Sequence, residues 1–503
     1  MCGIFGFYLK KGIINKNQKV AAINTLELLK HRGPDHTDYW INEKNNFFLG
    51  HTRLSILDNT HKANQPVHKS QFALSYNGEI YNYKELRNEL KKDFTFSSSG
   101  DTEVLFNFLL KNKTDQIEKL DGMFAFAFFN FGELYLCNDI FGEKPIYYIQ
   151  NQDGFFFASE IKPLINFLKI KKDDSPLKRD KFLMFGSLRE DTLYKDLNYC
   201  PPASILKIEK GILIQKKQYW SYKNLLETRD KKKIIEKKDI TQIKNLLISS
   251  CEKKLNSDQP IALMLSSGTD SSLLASIYKK ELNINLESFH ASFENLKNSN
   301  SEVNETDLTK KIAIALDLNL TIKKIDIDEK FFSNKNLFEL FNEPNDNIST
   351  LLLYSINRSI SEKYKVAISG LGADEIFYGY NGYSFFNKNI KFIQSNFLNK
   401  TLKYFDKIEF GKLKTLKYYN KYSGLDLIFS HFNFDYYEDI ENKYHDNLEY
   451  NNKLSFIENY SLIRFSSTLP YQMLSASDKA SMHTSLEVRS PYLNKELLKK
   501  VLE

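Results

Sequence analysis

A cysteine directly behind the first methionine, in MCGIFGF, is placed for chemistry that an internal cysteine cannot perform by itself. If an aminopeptidase removes Met1, which the small Cys2 side chain permits, one residue carries both a thiol and a free α-amine. That amine, with an unperturbed pKa of roughly 7.7 to 8.0, can accept the thiol proton, so nucleophile and base come from a single residue. Acyl transfer also needs donors for an oxyanion, and YNGEIYN supplies the Asn77 side-chain amide beside the unhindered backbone N–H of Gly78. A substrate with an amino-acid head needs ionic anchors. Arg53 in HTRLSILD can fork onto an α-carboxylate, while Glu79 and Asp101 can hold an α-ammonium. Each feature alone has a plainer meaning: a lone cysteine fills apolar space, NG turns a hairpin, and SGDTE caps a helix.

A second cluster, LMLSSGTDSS at 263–272, lies between an apolar strand and a helix. Unpaired N–H groups and the helix dipole there favour a phosphate, and Ser266, Ser267, Ser271 and Ser272 add hydroxyl donors. Without GK[ST] it is not a Walker A loop. The alternative is a polar strand-to-helix turn capped by serine.

The elements that must position these groups differ between the two halves. Up to about residue 220 the chain moves through short apolar runs broken by Gly, Asn, Asp and Pro, predicting a sheet-rich region with helices at about 18–30, 83–92 and 102–112. MFAFAFFNFGELYLC (123–137) predicts two buried strands around a turn, not a membrane span. After Trp220 the order is strand IALML, helix, strand ESFHASF, a helix near 304–316, then VAISG, which is the pattern of a parallel sheet covered by helices. From about 380 the segments are Tyr-, Phe- and Lys-rich with helical period. At 503 residues and 42% hydrophobic the chain can build two or three cored domains, and a net charge of +7 from scattered, nearly matched charges points to no particular anionic partner. KKKIIEKK (231–238), with no interleaved aromatics, reads as a solvated linker, so neither nucleic acid nor membrane is expected as a partner. Four separated cysteines without a CxxC pair, and no secretory leader, predict a cytoplasmic protein without disulfides.

MCGIFGF, HRGPD, RLSILD, NGEIYN, SGDTE, DGMFAFAFFN, DIFGEKPIYY and ASEIK occur in that order over some 160 residues. Together they resemble the glutaminase domain of class II glutamine amidotransferases, in the asparagine synthetase branch. The resemblance implies an N-terminal-nucleophile αββα sandwich over residues 1–220, in which Cys2 attacks the glutamine amide to form a γ-glutamyl thioester. It implies an oxyanion hole from Asn77 and Gly78, and glutamine binding by Arg53, Glu79 and Asp101 with the Leu54, Ser55, Ile56 and Leu57 backbone. The loop at 263–272 is similar to the pyrophosphate loop of ATP pyrophosphatases, and SGLGADEIFYGY (369–380) to that family's second ATP segment. By that likeness, residues 241–503 form a parallel-sheet ATP-pyrophosphatase domain with extra helices, after a linker at 221–240. ATP meets Met264, Ser266, Ser267, Gly268, Asp270, Ser271, Ala291, Ser369 and Gly370, and Mg²⁺ meets Asp270 and Asp374. LPYQMLSASDKASMHTSLEVRSPYLN (469–494) floors the synthetase site in this likeness, with Asp478, Lys479, Glu487 and Arg489 as its charged members.

The implied reaction takes ammonia from glutamine, channels it to a β-aspartyl adenylate, and yields asparagine, AMP and pyrophosphate. Three departures bear on it. Ser267 replaces a loop glycine, Asn494 replaces an aspartate, and Leu371 stands where the family carries an acid beside the acyl-adenylate. Leucine there cannot act as a base. Family members also continue past this point with a helix whose lysine faces the pyrophosphate, so a nucleotide site without that lysine, or a longer chain, is expected. A different acceptor, such as a sugar carboxylate, and a synthetase-defective glutaminase or regulatory protein are the competing expectations. A homodimer is the one macromolecular partnership left open.

Overall fold

A computed structural model describes residues 2–230, 235–293, 300–325, 338, 340–343, 349–395, 419, 427–428 and 450–503. Much of the Tyr- and Phe-rich stretch beyond 380, and residues 231–234 of the basic run, lie outside them.

Two six-stranded antiparallel sheets stack in the first half. One runs, edge to edge, through Leu197–Tyr199, Tyr147–Gln150, Gly154–Ala158, Cys2–Leu9, Phe47–Arg53 and His36–Ile41. The other runs through Ile212–Gln218, Ser204–Glu209, Glu133–Asn138, Gly122–Asn130, Phe72–Ile80 and Val67–Lys69. Because strand side chains alternate faces, each strand serves two cores. Ile4 and Tyr8 meet Ala73, Ala125, Ala127 and Phe129 between the sheets. Phe5, Phe7 and Leu9 point the other way, onto Ala22 and Leu26 of helix Lys16–Glu27 and Ile161 and Leu164 of helix Ile161–Leu168. Leu74, Tyr76, Phe124, Phe126 and Phe128 likewise pack outward on helices Tyr83–Leu90 and Asp101–Asn112. The result is the αββα sandwich, with each large buried side chain worth about 1.5–3 kcal/mol.

The second half holds a five-stranded sheet in the order Leu320–Ile325, Glu287–Phe293, Ile261–Met264, Val366–Ile368, Glu487–Arg489, with every pairing parallel. Val366, Ala367 and Ile368 are fully buried, as a strand covered by helices on both faces requires. The chain leaves Ile261–Met264 toward one edge and later returns on its other side, which makes a topological switch point between that strand and Val366–Ile368. The stretch expected as linker carries helix Tyr222–Thr228 and the first turn of helix Lys237–Lys253. Tyr222 and Leu226 share a core with Ile140, Phe141, Leu263 and Phe465, so apolar packing continues across the two halves. Among the described residues no helix is long and apolar enough to cross a membrane.

Candidate functional site

The same alternation that fills the sandwich positions the first site. Cys2 and Ile4 share a face, Ala73 and Asn77 share the opposing one, and the pairing of Phe72–Ile80 with Gly122–Asn130 is continuous. Cys2 and Asn77 therefore meet at one end of the space between the sheets. The Cys2 backbone N–H donates to Asn77 Oδ1 at 2.9 Å. That contact turns Asn77 Nδ2 elsewhere, and it is buried with no hydrogen-bond partner among the described residues. A buried unsatisfied donor costs about 1–3 kcal/mol, so a ligand oxygen that accepted from it would gain accordingly. Gly78 follows at φ +148°, where a Cβ would lie 2.0 Å from the Met123 carbonyl oxygen. No other residue fits there. Gly3 is required differently: a Cβ would lie 2.5 Å from Thr52 Oγ1 and 2.8 Å from Leu29 Cβ. Burial pushes the Cys2 thiol pKa up, opposed in part by the Leu54 backbone N–H.

Beside this pair the carboxylates collect. Asp101, first residue of its helix, accepts from the Tyr76 hydroxyl at 2.7 Å and the Ile80 N–H at 2.9 Å. Burial pushes its pKa up. Glu79 is pushed well above the usual range by burial and then by Asp101 and Glu487, with Arg489 opposing. Two buried acids face the Arg489 guanidinium, whose Nη2 is 3.4 Å from Glu79 and whose Nε donates to Glu487 at 2.6 Å. An ammonium group bound beside Glu79 and Asp101 would draw both carboxyls back toward ionisation.

Arg53, expected to fork onto a carboxylate, uses its guanidinium on the chain itself. Nη1 donates to the Thr60 carbonyl at 3.0 Å and Asn64 Oδ1 at 2.7 Å, and Nη2 to the carbonyls of Leu57 and Asp58. It thereby shapes the Leu54–Leu57 segment, in which Leu54 and Ile56 are buried while Ser55 and Leu57 are half-buried. Sequence reasoning also left Arg32 without a role. Its fully buried guanidinium donates to the Cys2 carbonyl at 3.1 Å, to Glu160 at 3.0 Å and to Asp478 of the second half at 3.2 Å. Only HRGPD itself marked the residue; its partners are too distant in sequence to be read.

The second site is a cleft of about 400 Å³ at the switch point. It gathers the expected Met264, Ser266, Gly268, Asp270, Ser271, Ala291, Ser369 and Gly370, together with Leu371. Ser267 and Asp374 are not among its lining residues. Phe289, Leu352, Leu353 and Ile356 add an apolar wall, with His290 beside it, that the sequence did not single out. Ser271 Oγ accepts from the Ser266 N–H at 3.0 Å and folds the loop onto the start of helix Thr269–Ser276. Gly370 lets the second segment close on this loop, a Cβ there lying 3.3 Å from the Asp270 Cβ. Ser267 has no positive φ, so serine replaces glycine there without strain. Burial and then the Asp374 charge raise the Asp270 pKa, which places the two carboxylates in each other's field.

Of the charged members expected on the floor of this cleft, Asp478 and Arg489 turn instead toward the first half. Asp478 meets Arg32 and Lys144, Lys479 meets Glu343, and Arg489 meets Glu79 and the carbonyls of Lys254 and Asn256. Full burial away from the cleft requires each charge to find a partner, and both halves supply them. Asn494 caps the helix Lys495–Leu502, accepting from the Leu497 N–H at 2.9 Å as an aspartate would.

Residues 1–220 match the family described as glutamine amidotransferase domain, and residues 242–503 that described as asparagine synthase. Asparagine synthetase (glutamine-hydrolyzing) 1 of Bacillus subtilis is 31% identical over 395 residues, covering 76% of this chain and 59% of that protein. Putative asparagine synthetase (glutamine-hydrolyzing) 2 of Methanocaldococcus jannaschii is 29% identical over 439 residues, covering 78% of this chain and 79% of that protein. The match with the Bacillus relative thus spans less than two thirds of that protein's length. Among solved structures, the glutamine phosphoribosylpyrophosphate amidotransferase of B. subtilis with ADP and GMP is 15% identical at a TM-score of 0.34, over 64% of this chain and 81% of that one.

Proposed function

Because this chain belongs to the asparagine synthase family of glutamine-dependent amidotransferases, we propose that it releases ammonia from glutamine at Cys2 and uses ATP at the second-half cleft to amidate a carboxylate, converting aspartate to asparagine. The observation that carries the first step is the unpartnered Asn77 Nδ2 beside Cys2. With Met1 removed, the α-amine takes the thiol proton and the sulfur attacks the amide carbon. The oxyanion accepts from Asn77 Nδ2 and the Gly78 N–H, the α-ammonium passes its proton to the leaving nitrogen so that ammonia departs, and water releases glutamate from the thioester. Glu79 and Asp101 face the glutamine ammonium, and Arg53 holds the loop against which the rest of the substrate lies.

In the cleft, the aspartate β-carboxylate attacks the α-phosphorus of ATP, pyrophosphate leaves, and ammonia displaces AMP from the acyl-adenylate. Ser266, Ser271 and the loop N–H groups bind phosphate oxygens. Asp270 and Asp374 suit a Mg²⁺ ion, since two carboxylates that repel one another take a divalent cation readily; bound there, it would neutralise phosphate charge. Leu371 lines both the cleft and a small inner cavity of about 20 Å³ shared with Glu143, Lys144, Asp478 and Ser490, which supports an internal route for ammonia. Four buried free thiols suit a reducing cytoplasm.

Leu371 also favours a second reading, in which the acceptor is another carboxylate such as a sugar acid, because an apolar side chain in the cleft wall offers aspartate no base. Purified protein given amide-¹⁵N glutamine, Mg·ATP and aspartate should form ¹⁵N-asparagine and AMP in equal amounts. Glutamate release without AMP would leave only a glutaminase, and AMP release only with other acids would select the second reading.

A further inference from the structure

His31, Glu160 and His483 meet at the seam between the halves, with one ligand atom of each within 4.8 Å of the others. None belongs to the two reactive centres. Glu160 caps helix Ile161–Leu168 from the first half, while His483 ends helix Ser475–Met482 in the second. We propose that this trio is a binding site for a divalent transition-metal ion of the zinc class, stapling the two halves together.

The donor set is two imidazoles and one carboxylate, which suits Zn²⁺ and its neighbours and disfavours Mg²⁺ and Ca²⁺. His483 Nδ1 lies 3.0 Å from the Lys479 carbonyl oxygen and donates to it, which leaves the Nε2 lone pair as ligand and fixes the ring in the way metal-bound histidines are held. Glu160 is buried at the seam. The His31 Nε2 to Glu160 Oε1 distance is 2.9 Å, and the two imidazole centroids are 4.5 Å apart. Ligands of a tetrahedral zinc ion at 2.0–2.2 Å sit about 3.4 Å from one another, so shifts of about 1 Å or less bring the three donors onto the ion, with water in the fourth position. Arg32 shares Glu160, but the charges of Arg32 and Lys144 are balanced by Glu160 and Asp478, so no net positive charge opposes a cation. The second half is already tied to this corner, Ser485 Oγ donating to the His31 carbonyl at 2.7 Å.

The test uses the full chain, stripped with chelator and titrated with Co²⁺ and then Zn²⁺. One Co²⁺ per chain should bind with the visible bands of a four- or five-coordinate ion and without a thiolate charge-transfer band, and Zn²⁺ should displace it one for one. His483→Ala and His31→Ala should each weaken Zn²⁺ binding by more than about a hundredfold, whereas Cys2→Ala should bind as the parent does. Zinc should also raise the melting temperature of the parent and not of His483→Ala. No stoichiometric uptake by the parent chain at micromolar Zn²⁺, a thiolate band, or binding unchanged in both histidine variants would each overturn the proposal, and the parent measurements decide even if a variant fails to fold.

Discussion

The Cys2 centre and the switch-point cleft are built on opposite principles. Around Cys2 nearly every group is buried and fixed before a substrate arrives: Asn77 is pinned by the Cys2 N–H, Asp101 by Tyr76 and Ile80, and Arg32 by three partners. The cleft is open, about 400 Å³, with its serines bonded mostly to one another and its paired aspartates in mutual repulsion. A site that stabilises an oxyanion gains most from donors that need no reorganisation, whereas one that takes a bulky polyanion with its cation can leave its last contacts to the ligand. The first centre should therefore respond to single substitutions as a unit, and the second through its ligand's charge.

The sharpest way to break this contrast is a reciprocal pair. Cys2→Ala should abolish glutamine-dependent amide formation, by at least about a thousandfold, and leave ammonia-dependent formation intact. Asp270→Asn should do the reverse, cutting AMP release by at least about a hundredfold while glutamine hydrolysis continues. Steady-state assays with glutamine or ammonium chloride check both. If Cys2→Ala retained glutamine-dependent activity, the unified first centre would be wrong.

Next in size is Asn77→Ala. Deleting one oxyanion donor should lower kcat for glutamine hydrolysis by about a hundred- to a thousandfold with little change in KM, since the donor has no partner until the charge develops. A change confined to KM would instead mark Asn77 as a ground-state binding residue.

The same contrast explains what could be read from sequence. Alternation in FALSYNGEI and CGIFGFYL already encodes the two-faced strands, and the parity of residues 2, 4, 73 and 77 brings Cys2 to Asn77. The switch-point cleft is similarly legible, because its loop follows its strand directly. What escaped is contact across the seam. Arg32 and Asp478 are 446 residues apart, and nothing local distinguishes a charge that floors a cleft from one that meets the other half. Arg489 and Asp478 were misplaced for that reason. Arg53 escaped differently: its residue type allows a substrate carboxylate or backbone carbonyls equally, and only the loop conformation chooses.

The smallest effect is expected between the two regions, where Glu143 lines the inner cavity. Burial, opposed chiefly by Lys254, pushes its pKa up to about 7, while burial brings Lys254 down to about 8. In the unfolded chain glutamate ionises near its ordinary value of 4.5, so between there and about 7 the folded form holds a proton that the unfolded form has lost. Stability must fall as pH rises through that window, with a limiting slope of about 1.4 kcal/mol per pH unit. Lys254, protonated in both states below about 8, adds no slope there. Glu143→Gln removes this one titration, so its midpoint of urea unfolding should fall less steeply with pH between 5 and 7 than the parent's. Parallel pH profiles for the two proteins would show the seam carboxyl to be ionised in the folded protein. The region linking the two centres would then be an ion-paired one, wired unlike the pre-set Cys2 centre it adjoins.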